Sequence, residues 1–149
     1  MTLAAEAGLF TSAFLAATLL PVSSEVVLTG LALGSEIPWG RLWWLATLGN
    51  VGGSVVNWLL GRWAVTTLPR WRPGMRQAWL RGQARLQRLG TWSLLLAWVP
   101  VIGDPLTVAA GMAKVAFWKF VLLVSLGKGG RYALLLGGLS GWNQLVGRW

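Results

Sequence analysis

Four ionisable residues stand where an apolar chain has least use for them. Glu25 and Asp104 lie inside apolar stretches, each four residues after a proline, in Pro21-Val-Ser-Ser-Glu25 and Pro100-Val-Ile-Gly-Asp104. Lys128 and Arg131 lie three apart near the start of the last long apolar stretch, so that on a helix they project from one face. A charge at hydrocarbon depth is costly unless paired or hydrated, and an intramembrane ionisable group marks a functional site by default. Two acids and two cations can make a locally neutral cluster. Paired cations beside a watery cavity would attract a lipid phosphate or another anion. An acid at the tip of a broken helix could exchange protons, with burial and the neighbouring cations pulling its titration in opposite directions. The plainer role for all four is to pair and hold the broken segments in place. Asn50 and Asn57, seven apart, could line the same cavity or hydrogen-bond between helices.

Other chemistry is largely excluded. The chain has no Cys, no His and only four acids. That removes disulfides, thiolate nucleophiles, imidazole bases and the usual zinc sites. Ser24 beside Glu25 is too little to name a nucleophile. Neither an enzyme nor a cofactor or metal is expected.

The elements that must position these residues follow from composition. The 149 residues suit one domain. Apolar residues make up 55% and charged residues 11%, against about 25% charged in soluble domains, and mean hydropathy is +0.59. An all-α integral membrane protein is the expected fold class. Twelve Trp fit the same reading, since Trp39, Trp63, Trp71, Trp92, Trp118 and Trp142 fall at ends of apolar runs, where an indole suits the headgroup level.

Four apolar stretches can be read, Leu9 to Gly34, Leu42 to Val65, Trp92 to Ala113 and Phe117 to Gly138. The second and fourth are free of Pro and long enough to cross a core of about 30 Å. The first and third are interrupted by Pro21 and Pro100, since Pro lacks a backbone donor. Fourteen residues beyond each acid comes a Trp, Trp39 or Trp118, and then Leu48-Gly49-Asn50 or Leu126-Gly127-Lys128, each followed by glycines. This order describes a duplicated unit, a broken segment followed by a full helix, over about 9–66 and 90–140. Interrupted apolar segments in corresponding places of two halves point to a transporter-type site, with Pro21, Pro100 and Gly103 at the hairpin tips.

Charge placement chooses the topology. Seven of the thirteen cations fall between Arg62 and Arg88, which puts the 67–89 linker on the cytoplasmic face. Two re-entrant hairpins bring the loop with Lys114 and Lys119 to that same face, whereas full crossings would not. The halves are then an inverted repeat whose tips enter from opposite leaflets. Within the linker, Met75, Trp79, Gly82, Leu86 and Leu89 recur at helical spacing between Arg76, Arg81, Arg85 and Arg88. An interfacial amphipathic helix drawn to anionic headgroups is expected there. Nothing accompanies these cations that would read nucleic acid. The start, MTLAAEAGLF, lacks a cationic n-region, so the N-terminus is expected to be retained.

The stretches FLAATLLPVSSEVVL (Phe14 to Leu28), LGNVGGSVVNWLLGR (Leu48 to Arg62), LLAWVPVIGDPL (Leu95 to Leu106) and LGKGGRY (Leu126 to Tyr132) resemble the YqaA-like branch of the DedA family, bacterial relatives of VTT-domain or SNARE-associated proteins. The resemblance implies a bacterial inner-membrane, multi-pass protein with paired re-entrant hairpins. It implies lipid work, flipping or scrambling a phospholipid or recycling a polyprenyl phosphate, coupled to protons in some members. It makes Glu25 the counterpart of the family's acid in the first hairpin. One departure stands out: typical members carry Arg-Phe-x-Pro-Gly-x-Arg in the second hairpin, where this chain has Ala97-Trp98-Val99-Pro100-Val101-Ile102-Gly103. Lys128 and Arg131 are the cations that could stand in for the two missing arginines. A non-transporting envelope scaffold that binds anionic lipid or a partner is the alternative.

Overall fold

The structure, a computed structural model, describes residues 2–18, 23–67, 77, 80, 84, 86–88, 90–99 and 102–146. Every regular element among them is helical: α1 (Thr2–Thr18), α2 (Ser23–Gly34), α3 (Trp39–Thr67), a 3-10 helix η1 (Thr91–Trp98), α4 (Gly103–Met112) and α5 (Phe117–Val146). Breaks separate α1 from α2 and η1 from α4, where the sequence carries Pro21 and Pro100. Both prolines lie outside the described residues, as do Arg76, Arg81 and Arg85.

Several bounds differ from the sequence reading. The first helix starts at Thr2 rather than near Leu9, and takes in Glu6, which is mostly buried and bonded at 3.0 Å to Arg41 at the start of α3. Pairing lets a charged residue join an otherwise apolar helix. Phe117–Gly141, within α5, is the one stretch among the described residues long and apolar enough to cross a membrane. Helix α3 has 29 residues and so the necessary length, but its Trp, Asn and Gly residues dilute its apolarity.

Small residues set how the helices meet. Gly49 and Gly53 of α3 lie against the backbone carbonyls of Phe10 and Phe14 in α1, and Asn57 donates to the Ala17 carbonyl at 2.8 Å. Contacts that advance together in this way make α1 and α3 parallel. The second half repeats the relation, with Gly127 of α5 against Leu95 and Arg131 against the carbonyl of Trp98, both in η1. Helices α3 and α5 are antiparallel, since Trp43 pairs with Gly129, Asn50 with Lys128 and Trp58 with Phe120. At the crossing of α3 with α4 the glycines are reciprocal, Gly61 against the backbone of Val108 and Gly111 against that of Trp58. Close backbone approach through small residues replaces the hydrophobic drive that helices lack in lipid. Gly130, Gly137 and Gly138 of α5 face open space instead.

Two apolar cores result. One gathers Leu9, Leu28, Leu42 and Leu136; the other gathers Trp58, Leu94, Ala110 and Phe120, with Leu86 from the linker. Leu86 is buried while Gln87 and Arg88 are exposed, so this turn of the linker is amphipathic. The outer surface is itself apolar, with Trp118 80% and Leu134 77% exposed, as suits hydrocarbon surroundings. Helix α4 ends with Lys114 in the left-handed region at φ 56. Its N–H bonds to the Gly111 carbonyl while that of Val115 bonds to Ala110, a glycine-type helix stop that turns the chain into α5.

Candidate functional site

Between the two cores runs a polar seam. The breaks place Glu25 in the first turn of α2 and Asp104 in the first turn of α4. A carboxylate there complements the exposed N–H groups and the positive end of the helix dipole. Both acids face one side of α5, where Lys128, Arg131 and Tyr132 follow at helical spacing. Arg131 Nε donates to Glu25 Oε1 at 2.6 Å, and its Nη1 donates to the Trp98 carbonyl at 3.1 Å. That carbonyl belongs to the last turn of η1, where helical partners run out. Arg131 therefore joins the second arm of one broken segment to the first arm of the other.

Lys128 Nζ donates to Asp104 Oδ1 at 3.0 Å and also to Asn50 Oδ1. The Lys128 side chain is 6% exposed and that of Asp104 29%, so the cation sits deep and the acid at its opening. A cavity of about 10 Å³, room for about one water, lies between Ala16, Asn50, Ala97, Asp104, Lys128 and Arg131. Gly103 fits under it, its N–H bonded to Val99 at 2.9 Å and its α-carbon against the Ala97 backbone. A side chain there would push the Asp104 turn away from η1.

All five expected binding residues thus meet in one seam, the Glu25–Arg131 pair beside the Asp104–Lys128–Asn50 set. Of the four linker arginines expected at the lipid surface, Arg88 is described and exposed, and it takes no part in the seam. Sequence reasoning passed over two residues of the seam. Tyr132 is buried, accepts from Asn50 Nδ2 at 2.7 Å and shares a 3.1 Å hydrogen bond with Ser24 Oγ. Thr107, fully buried, accepts from Asn57 Nδ2 at 3.3 Å, so Asn57 ties α1, α3 and α4 together. The available signal for Tyr132 was its place four residues after Lys128 and next to Arg131. No group of three or more metal-ligating residues occurs among the described residues.

Comparison with known proteins fits these features. The VTT domain model matches residues 20–140. The chain is 38% identical over 141 residues to "Inner membrane protein YqaA" of Escherichia coli (strain K12), covering 91% of this chain and 94% of that protein. The protein of the same name from Shigella flexneri gives the same figures. A Haemophilus influenzae protein is 40% identical over 136 residues, 86% of this chain and 83% of its own length. No solved structure matches.

Proposed function

The chain belongs to the VTT-domain, or DedA, family, and on that footing we propose that it is a multi-pass inner-membrane protein that carries a lipid phosphate across the bilayer through the four-charge centre. The cargo is a phospholipid or a polyprenyl phosphate. The broken segments are re-entrant hairpins of an inverted repeat, and the Arg-rich linker with Arg76, Arg81, Arg85 and Arg88 lies on the cytoplasmic surface against anionic headgroups. Parallel packing of α1 on α3 and of η1 on α5, with α3 and α5 antiparallel, supports that arrangement. The Glu6–Arg41 pair supports it too, because it brings the start of α1 back to the start of α3.

One observation carries the reading: Arg131 and Lys128, one turn apart, hold an acid from each broken segment. At rest the carboxylates occupy the donors that a phosphate would want. A phosphate offers the same guanidinium and ammonium groups more acceptor oxygens and so competes for them directly. Protonating Glu25 or Asp104 would release a cation to the substrate, which links cargo to protons while leaving every covalent bond of the lipid intact. The seam is a binding site on this reading, and no residue in it is given a catalytic role.

The full mutual pairing of the four charges, around a cavity of one-water size, favours a second reading, a scaffold whose charges only fasten the tips. Reconstituted protein in vesicles with a labelled lipid decides between them. Glu25→Gln and Arg131→Ala should each reduce transbilayer movement to the protein-free rate while the protein remains folded. Full transport by both variants would remove the translocation reading. No transport by the parent protein with either class of lipid would leave the scaffold.

A further inference from the structure

A line of hydrogen bonds leads from Lys128, the ion-pair partner of Asp104 in the second broken segment, to the tip of the first. Lysine has donors and no acceptor, so Lys128 forces Asn50 to turn its carbonyl oxygen toward the ammonium. The Asn50 amide nitrogen is thereby aimed at Tyr132 Oη, 2.7 Å away. Accepting there, the Tyr132 hydroxyl has its own proton for Ser24 Oγ at 3.1 Å. Asn50, Tyr132 and Ser24 are 7%, 2% and 2% exposed, so bulk water is no substitute partner. Either hydroxyl can donate in the Tyr132–Ser24 bond; with the Tyr132 proton in it, every donor in the line points from Lys128 toward the residue that precedes Glu25.

We propose that Asn50 and Tyr132 are positioning residues forming a directional relay, through which the occupancy of Lys128 in the second half is read at the Ser24–Glu25 tip of the first. When Lys128 swings to a bound anion or loses its charge, Asn50 no longer has a reason to present its oxygen. Its amide can then turn over, Tyr132 must reorient, and Ser24 loses its donor. Linked hydrogen bonds in a dry interior polarise one another, so each change is felt along the line. The relay concerns how the halves are linked, and it holds whether the centre moves a lipid or only fastens the tips.

Tyr132 is the single tyrosine of the chain, which makes the test direct. Full-length protein in nanodiscs, labelled with carbon-13 at the tyrosine hydroxyl-bearing carbon, gives one NMR resonance that reports the hydrogen bonding of Oη. Lys128→Met, which touches no partner of Tyr132 except Asn50, should shift that resonance by more than its linewidth. Should Lys128→Met fail to fold because it strands the Asp104 carboxylate, Lys128→Met combined with Asp104→Asn removes both charges together. In an Asn50→Ala background neither change should move the resonance further. Asn57→Ala, in the seam but outside the line, should leave it in place. An unmoved resonance in folded Lys128→Met, or in the folded double variant, overturns the relay, and so does an undiminished shift without Asn50 or a comparable shift from Asn57→Ala. A vesicle assay showing no transport would leave these spectra unchanged, which separates the two claims.

Discussion

Arg131 reaches both broken segments at once, giving Nε to Glu25 and Nη1 to the end of η1. That requires a planar fork, which an ammonium point charge cannot imitate. Arg131→Lys should therefore keep the protein folded and lower vesicle transport about tenfold, equivalent to losing about one charge-assisted hydrogen bond of 1.5 kcal/mol. An unchanged rate would mean that charge alone suffices at this position. The charged members of the centre were legible in the sequence because an acid in an apolar segment needs a partner, and few cations lie within apolar segments to serve. Of the neutral members, Asn50 and Asn57 were legible as amides in an apolar helix, whereas Tyr132 and Thr107 were not. A Tyr in a Trp-rich apolar chain carries the same signal as an interfacial aromatic, and Thr107 looks like any small residue at a helix contact. What distinguishes them is the buried amide each meets, Asn50 or Asn57, and that is a property of the crossing angle rather than of the residue.

Helices α3 and α4 approach through a reciprocal contact in which each glycine lies under the other's backbone. A methyl group at Gly111 would meet the Trp58 carbonyl, and backbone cannot yield as a flexible side chain can. Gly111→Ala should destabilise the detergent-solubilised protein by about 1–3 kcal/mol, the usual cost of overpacking. Gly137→Ala, on the open face of α5, should change thermal unfolding little. Equal effects of the two would contradict the close crossing. The order of the helices and the division of the first and third apolar stretches could be read from proline and apolar runs, since both follow from local backbone chemistry. Which glycines matter could not. Gly61, Gly103 and Gly111 make close approaches while Gly130, Gly137 and Gly138 do not, because the relevant variable is which side of the helix meets a neighbour. The start of α1 at Thr2 escaped for a related reason, as Glu6 reads as a polar boundary until Arg41 is known to meet it.

At the scale of the whole molecule, the apolar cores sit at the two ends and the polar seam between them. On the proposed inverted arrangement, the loop at Ser35 would face outward and the turn at Lys114 the cytoplasm. The chain contains no natural cysteine, so Ser35→Cys and Lys114→Cys can each be labelled alone with a membrane-impermeant maleimide. Ser35→Cys should react in intact cells and Lys114→Cys only after permeabilisation. Reaction of both from outside would overturn the inverted arrangement. The separation of Glu25 from Arg131 by 106 positions also bears on how the protein is made. Ribosomes add about 5–20 residues per second, so the acid emerges roughly 5–20 s before its guanidinium partner. During that interval the first segment has no counter-ion for its carboxylate and would rest at the membrane surface or in the shelter of an insertase. If the first segment is the proposed re-entrant hairpin, insertion of its tip would then be among the last events of biogenesis, triggered by arrival of α5.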